Sequence, residues 1–145
     1  MSVRIEQLSK HFGTQKAVDE VSFSASQGKI LGFLGPNGAG KSTTMKMATG
    51  YLFPTSGEVW FNDISVTKDP LAVKQNVGYL PEHNPMYLDM YVREFLLFIG
   101  RAYGLTRNHR LHRVEELIKT CGLSIEQHKK LNMLSKGYRQ RVGLA

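Results

Sequence analysis

The chain has 145 residues, enough for one domain of ordinary size, and its apolar and charged fractions of 41% and 21% are those of a globular protein. No stretch approaches the roughly 20 apolar residues of a membrane span, the opening residues 1–6 hold no apolar signal core, and the lone Cys121 excludes an internal disulfide, so a cytoplasmic protein is expected. The net charge of +7 suits nucleic acid or an anionic surface, but the bases are scattered, with mild clusters at residues 107–113 and 129–130, and read as a solvated face.

Residues 3–8 alternate apolar and polar, as a half-buried strand does, and Val18, Val21 and Phe23 mark a second strand. After a turn at Gly28-Lys29, Ile30-Leu31-Gly32-Phe33-Leu34 is an almost continuous apolar run. A strand buried on both faces has that pattern. A glycine-rich loop follows, then a predicted helix over residues 42–49, closed by Gly50. Residues 54–57 read as a turn, 58–61 as a strand, 62–63 as a turn, and 77–80 as a further short strand stopped by Pro81.

The second half is helical in pattern. Val92, Phe95, Leu96, Ile99 and Tyr103 recur at helix spacing, with Gly104 in the closing position. Thr106 is placed to cap a helix carrying Leu111, Val114, Leu117 and Ile118, which Gly122 would end. A last helix is expected to begin just after Gly137 and to be still running at Ala145. His109 and His112 share a face but have no acidic or cysteine partner, so they read as surface histidines. Met45, Met47, Met86 and Met90 read as packing residues.

The loop Gly35-Pro36-Asn37-Gly38-Ala39-Gly40-Lys41-Ser42 satisfies G-x-x-x-x-G-K-[ST] at every fixed position. Glycines let the backbone curl so that successive N–H groups face an anion, and the following helix adds its unpaired amides and positive dipole end. Lys41 brings a cation to the β- and γ-phosphates, Ser42 a hydroxyl for Mg²⁺, and Thr43 a second hydroxyl for a phosphate oxygen. The expected ligand is a magnesium–nucleoside triphosphate.

Four further segments, with this loop, resemble the ATP-binding subunit of an ABC transporter. The resemblance runs over essentially the whole chain and is closest to ATPases of the ABC-2 exporter type, including those linked to gliding motility. His11-Phe12-Gly13 is similar to the family's A-loop, which implies that Phe12 stacks on adenine, with Val18 bordering the base. Gly78-Tyr79-Leu80-Pro81-Glu82 resembles the Q-loop, with Glu82 where the family usually has glutamine; a carboxylate there can still ligate Mg²⁺. Residues 92–131 stand in the place of the helical subdomain. Leu134-Ser135-Lys136-Gly137-Tyr138 stands in the place of the signature L-S-G-G-Q, with Gln140-Arg141 at the usual offset. Ser135 and Gly137 are retained and imply an anion site that closes on nucleotide held by a second subunit, whereas Lys136 and Tyr138 depart from the pattern.

The resemblance implies an α/β P-loop NTPase with an N-terminal antiparallel β-subdomain and a helical signature subdomain. The expected division is residues 1–80 for the β-subdomain and phosphate-loop core, and 81–145 for the Q-loop and helical part. It implies ATP and Mg²⁺ as ligands, a second ATP-binding subunit and a membrane permease as partners, no nucleic acid, and a peripheral place on the inner face of the cell membrane. In the family an apolar strand ending in Asp-Glu follows the signature helix, and a switch histidine comes later. Neither occurs before Ala145, so no catalytic residue is assignable and the chain reads as the N-terminal part of a longer ATPase. The run 30–34 is then expected to lose a pairing neighbour. The function implied is coupling of ATP binding and hydrolysis to export. The alternatives are a soluble ABC-type ATPase acting on nucleic acid or ribosomes, a P-loop kinase or GTPase of another family, and a non-hydrolysing ATP-binding regulator.

Overall fold

The alternating run at the start of the chain forms β1 (Val3–Phe12), an inner strand of an antiparallel sheet in the computed structural model, which describes residues 2–145. β2 (Gln15–Ala25) returns along it after the Gly13-Thr14 turn, β3 (Ser56–Phe61) pairs on its other side, and β4 (Ile64–Ser65) adds a short edge, giving the order β2-β1-β3-β4. The β1–β2 ladder is irregular. Its register shifts after Ile5, and the left-handed backbone of Gln7 and Glu20 marks the places. Side chains satisfy the amides that the ladder releases: Gln7 N–H donates to Ser22 Oγ at 2.8 Å and Glu20 N–H to Ser9 Oγ at 2.9 Å.

The chain divides into two units, Met1–Tyr79 and Leu80–Ala145. In the first, the sheet's inner face buries Ile5, Leu8, Val18, Val59 and Phe61 together with Met47 and Ala48 of α1 (Lys41–Ala48) and Val73 of α2 (Pro70–Lys74). α2 was not expected from the sequence, although Asp69-Pro70 is a start signal. The Asp69 carboxylate accepts from Ala72 N–H at 3.0 Å, and Pro70 sits where its missing N–H has no partner to lose. On the other face Trp60, the chain's single tryptophan, lies under two cations, with the Arg4 guanidinium 5.4 Å and the Lys68 ammonium 5.9 Å from its ring centre.

Glu58 of β3 carries an electrostatic tie. Partial burial pushes its acid upward, but hydrogen bonds from the Thr67 hydroxyl (2.6 Å), Val59 N–H (3.1 Å) and Ser65 outweigh this and hold it below its ordinary value of 4.5. A depressed carboxyl contributes stability above its unfolded pKa and loses it as pH falls through the folded value. Glu58→Gln is therefore expected to lower the melting temperature near neutrality and to converge with the wild type in acid. Melts from pH 7 to pH 3 check this, and a difference constant with pH would count against it.

The second unit packs α3 (Val92–Ala102), α4 (Arg107–Thr120), a 3₁₀ turn (Leu131–Met133) and α5 (Lys136–Leu144) around Val92, Phe95, Leu96, Val114, Ile118 and Leu131. α3 and α4 are tied by the Arg93–Glu115 ion pair, and Glu94 accepts from Tyr91 N–H at 3.2 Å to cap α3. Thr106 stands at the cap position of α4, but its side chain makes no capping bond. α5 starts at Lys136, two residues earlier than expected, because the Ser135 hydroxyl accepts from Tyr138 N–H at 3.3 Å.

Two expected strands do not form. Residues 30–34 and 77–80 carry no strand pairing, and Ile30 and Leu34 stand almost wholly in solvent, at 102% and 92% exposure. A strand is made by its neighbours' N–H and C=O groups as much as by its own side chains. The sheet edges are β2 and β4, and no described strand lies alongside either run. Among the described residues, the only aromatic pair that 30–34 makes is Phe33 on Phe23, centroids 5.3 Å apart.

Candidate nucleotide-binding site

The glycine-rich loop leads directly into α1. Gly38 and Gly40 both have left-handed backbones, φ 83° and 79°, which turn the chain sharply before the helix. At Gly40 there is no space for a side chain either. A Cβ would lie 2.2 Å from the Ala17 carbonyl oxygen and 2.9 Å from Val18 Cγ2, so the loop sits directly on β2. Thr44, buried in the first turn, donates its hydroxyl to Gly40 O at 3.0 Å and fixes the junction from inside.

The start of α1 is open to an anion. Gly40 supplies no side-chain cap, and no acidic residue stands in the first turn. Thr44 N–H is bonded to Gly40 O at 2.8 Å, while the amides of Lys41, Ser42 and Thr43 lie ahead of it, where a helix has no internal acceptors. The Lys41 ammonium folds back along the loop and donates to the carbonyls of Gly35 (2.7 Å) and Pro36 (2.6 Å). A cation and unpaired amides thus converge on one turn, with Asn37 and Ala39 exposed on its rim and the Ser42 hydroxyl facing solvent.

Phe12 ends β1 in the same unit. Phe12 is 51% exposed as a residue, and the Lys10 ammonium lies 5.3 Å from its ring centre while donating to Phe53 O at 2.8 Å. Val18 is 5% exposed and lies beneath Gly40, so it supports the loop from below.

Glu82, Ser135 and Gly137 belong to the second unit, where one face of α5 gathers the segment 80–84. Lys136 donates to Glu82 Oε1 at 2.9 Å. One turn on, Gln140 Nε2 donates to the main-chain carbonyls of Pro81 and Glu82. One turn further, Gly143 leaves room for Asn84 and Leu80, which a Cβ would strike. The hydrogen bond and charge of Lys136, with His83 adding to them, hold the Glu82 carboxyl below its usual range. Ser135 spends a lone pair on Tyr138 N–H, and its hydroxyl proton stays available to an acceptor. The Glu82–Lys136 pair and the Gln140 clamp were not foreseen; the i, i+4 spacing places Lys136 and Gln140 on one helix face but says nothing of what meets it.

A curled glycine loop on an antiparallel sheet, with a lysine folded over it at an uncapped helix start, defines a P-loop nucleotide-binding domain. The ABC transporter family profile matches residues 18–145, and the chain belongs to that family. Among curated relatives it is 38% identical over 141 residues to the uncharacterized ABC transporter ATP-binding protein YxlF of Bacillus subtilis, covering 97% of this chain and 46% of that protein. It is 34% identical to the bacitracin transport ATP-binding protein BcrA of Bacillus licheniformis, covering 99% and 46%. The chain spans about half the length of these relatives. The structure of an ATP-binding subunit of an ABC transporter superposes with a TM-score of 0.82 at 27% identity, covering 99% of this chain and 60% of that one.

Proposed function

We propose that the complete protein is the ATP-binding subunit of an ABC-type exporter, peripheral on the inner face of the membrane, which couples ATP binding and hydrolysis to transport through a separate membrane subunit. The observation that carries this reading is the Lys41 ammonium, held by two loop carbonyls at the open start of α1. Relatives named for bacitracin transport and linearmycin resistance support the export direction. No helix among the described residues is long and apolar enough to cross a membrane.

In this reading Gly35, Pro36, Asn37, Gly38, Ala39 and Gly40 form the phosphate cradle, Lys41 neutralises the β- and γ-phosphates, and Thr43 adds a hydroxyl. Phe12 offers its open ring to adenine, beside Val18. The exposed Ser42 hydroxyl is a hard oxygen donor, the kind Mg²⁺ takes while keeping several waters, and the ionised Glu82 carboxylate of the second unit is by itself another donor of that class. Held at Ser42, the ion would neutralise phosphate charge. Ser135 and Gly137, at the start of α5, meet the triphosphate held by a second copy arranged head to tail.

Titration of the complete protein with ATP, with and without Mg²⁺, tests this, together with sedimentation. Saturable binding strengthened by Mg²⁺ and accompanied by dimer formation is expected. Salt-sensitive RNA binding by a protein that ATP leaves monomeric would favour the nucleic-acid alternative instead.

A further inference from the structure

Two of the three positions at which the second unit departs from the family pattern, Glu82 and Lys136, are joined to each other. They are 54 residues apart in sequence and 2.9 Å apart in space. Both side chains are open to solvent, 73% and 67% exposed, so burial does not force the contact. Gln140 fixes the backbone carbonyls of Pro81 and Glu82, and Gly143 seats Asn84 and Leu80. Lys136, Gln140 and Gly143 form one stripe of α5, so the carboxylate is presented to the ammonium by a docked segment rather than met by chance.

We propose that Lys136 is shared between two alternative anions: the Glu82 carboxylate of its own chain and the γ-phosphate of nucleotide held by a second copy. The exchange rests on the head-to-tail reading above. Lys136 is the first residue of α5, beside the Ser135 hydroxyl, so a phosphate reaching Ser135 comes within range of its ammonium. A triphosphate carries more charge than one carboxylate and draws the ammonium away. Glu82 therefore keeps Lys136 in reserve until nucleotide arrives, and nucleotide on the opposite copy releases the carboxylate. Lys136 acts here as a nucleotide-contacting residue that Glu82 holds back until nucleotide arrives on the opposite copy.

The test is a double-mutant cycle on nucleotide-driven dimerisation of the complete protein, followed by sedimentation with saturating Mg²⁺ and a non-hydrolysable ATP analogue. Lys136→Met is expected to raise the analogue concentration at half-dimerisation, and Lys136→Arg to restore it. Glu82→Gln frees the lysine and is expected to lower that concentration about two- to fivefold more in the Lys136 background than in the Lys136→Met background, the span of an exposed ion pair. This coupling should shrink as salt rises. An equal effect of Glu82→Gln in both backgrounds would overturn the exchange, as would coupling of the opposite sign, which means the pair persists in the dimer. A wild type that the analogue leaves monomeric would overturn the head-to-tail reading itself, and the exchange with it.

Discussion

Lys41→Ala in the complete protein is expected to weaken ATP-dependent function by at least about 100-fold while leaving the fold intact, the effect of removing one preorganised charge contact from a phosphate site. The two consequences separate because of what Lys41 touches. Among the described residues its ammonium bonds only to the carbonyls of Gly35 and Pro36, both in the exposed loop, and it is not among the buried core residues. Truncation therefore removes a cation from the phosphate position and opens no cavity. ATP titration and a denaturant melt of the same sample measure both. Affinity within threefold of the wild type would mean that the triphosphate binds elsewhere.

Gly40→Ala is expected to damage stability and nucleotide affinity together, at about 3 kcal/mol for the fold, from left-handed backbone strain plus overpacking. The obstacle is a backbone atom. The new methyl would stand 2.2 Å from the Ala17 carbonyl oxygen, and β2 is held in place there by the pairs Lys10 with Val18 and His11 with Lys16. The strand cannot retreat without loosening that ladder, so the loop and the start of α1 must move, carrying Lys41 and Ser42 with them. Gly38→Ala is the natural comparison. Its φ is 83°, but no atom lies within 4 Å of a Cβ there, so only the conformational strain of about 1 kcal/mol applies. Chemical denaturation of both variants distinguishes the two contributions; equal losses would refute the steric account.

The features that the sequence displayed were those whose cause is local. The turn into α1 needs glycine at Gly38 and Gly40 and a cation at Lys41, and all three lie within one short loop. The ends of α3 and α4 were marked by Gly104 and Gly122, both left-handed as expected. What depended on distant chain was not legible. The apolar character of residues 30–34 reports a tendency to be covered, but pairing requires adjacent strands, and the described ones lie elsewhere. Val18 is buried in β2 and packs beneath Gly40, a contact that the alternation of β2 alone does not name. Glu82 and Lys136 each looked like a separate departure, because nothing in linear spacing shows that α5 carries one to the other. α2 is the converse case. Asp69-Pro70 announced it locally, but its five residues show no clear helical period.

The indole of Trp60, flanked by Arg4 and Lys68, gives the molecule a built-in optical asymmetry. Tryptophan is absent from Leu80–Ala145, so emission excited at the red edge of the absorption band arises from Met1–Tyr79 alone. The N–H of that ring has no hydrogen-bond partner among the described residues, and water would supply one on unfolding, so the spectrum shifts when the sheet opens. Helical circular dichroism, drawn mainly from α3, α4 and α5, follows the other unit. Recorded together on one heating ramp, the two signals would tell whether the halves come apart in a single step or in sequence.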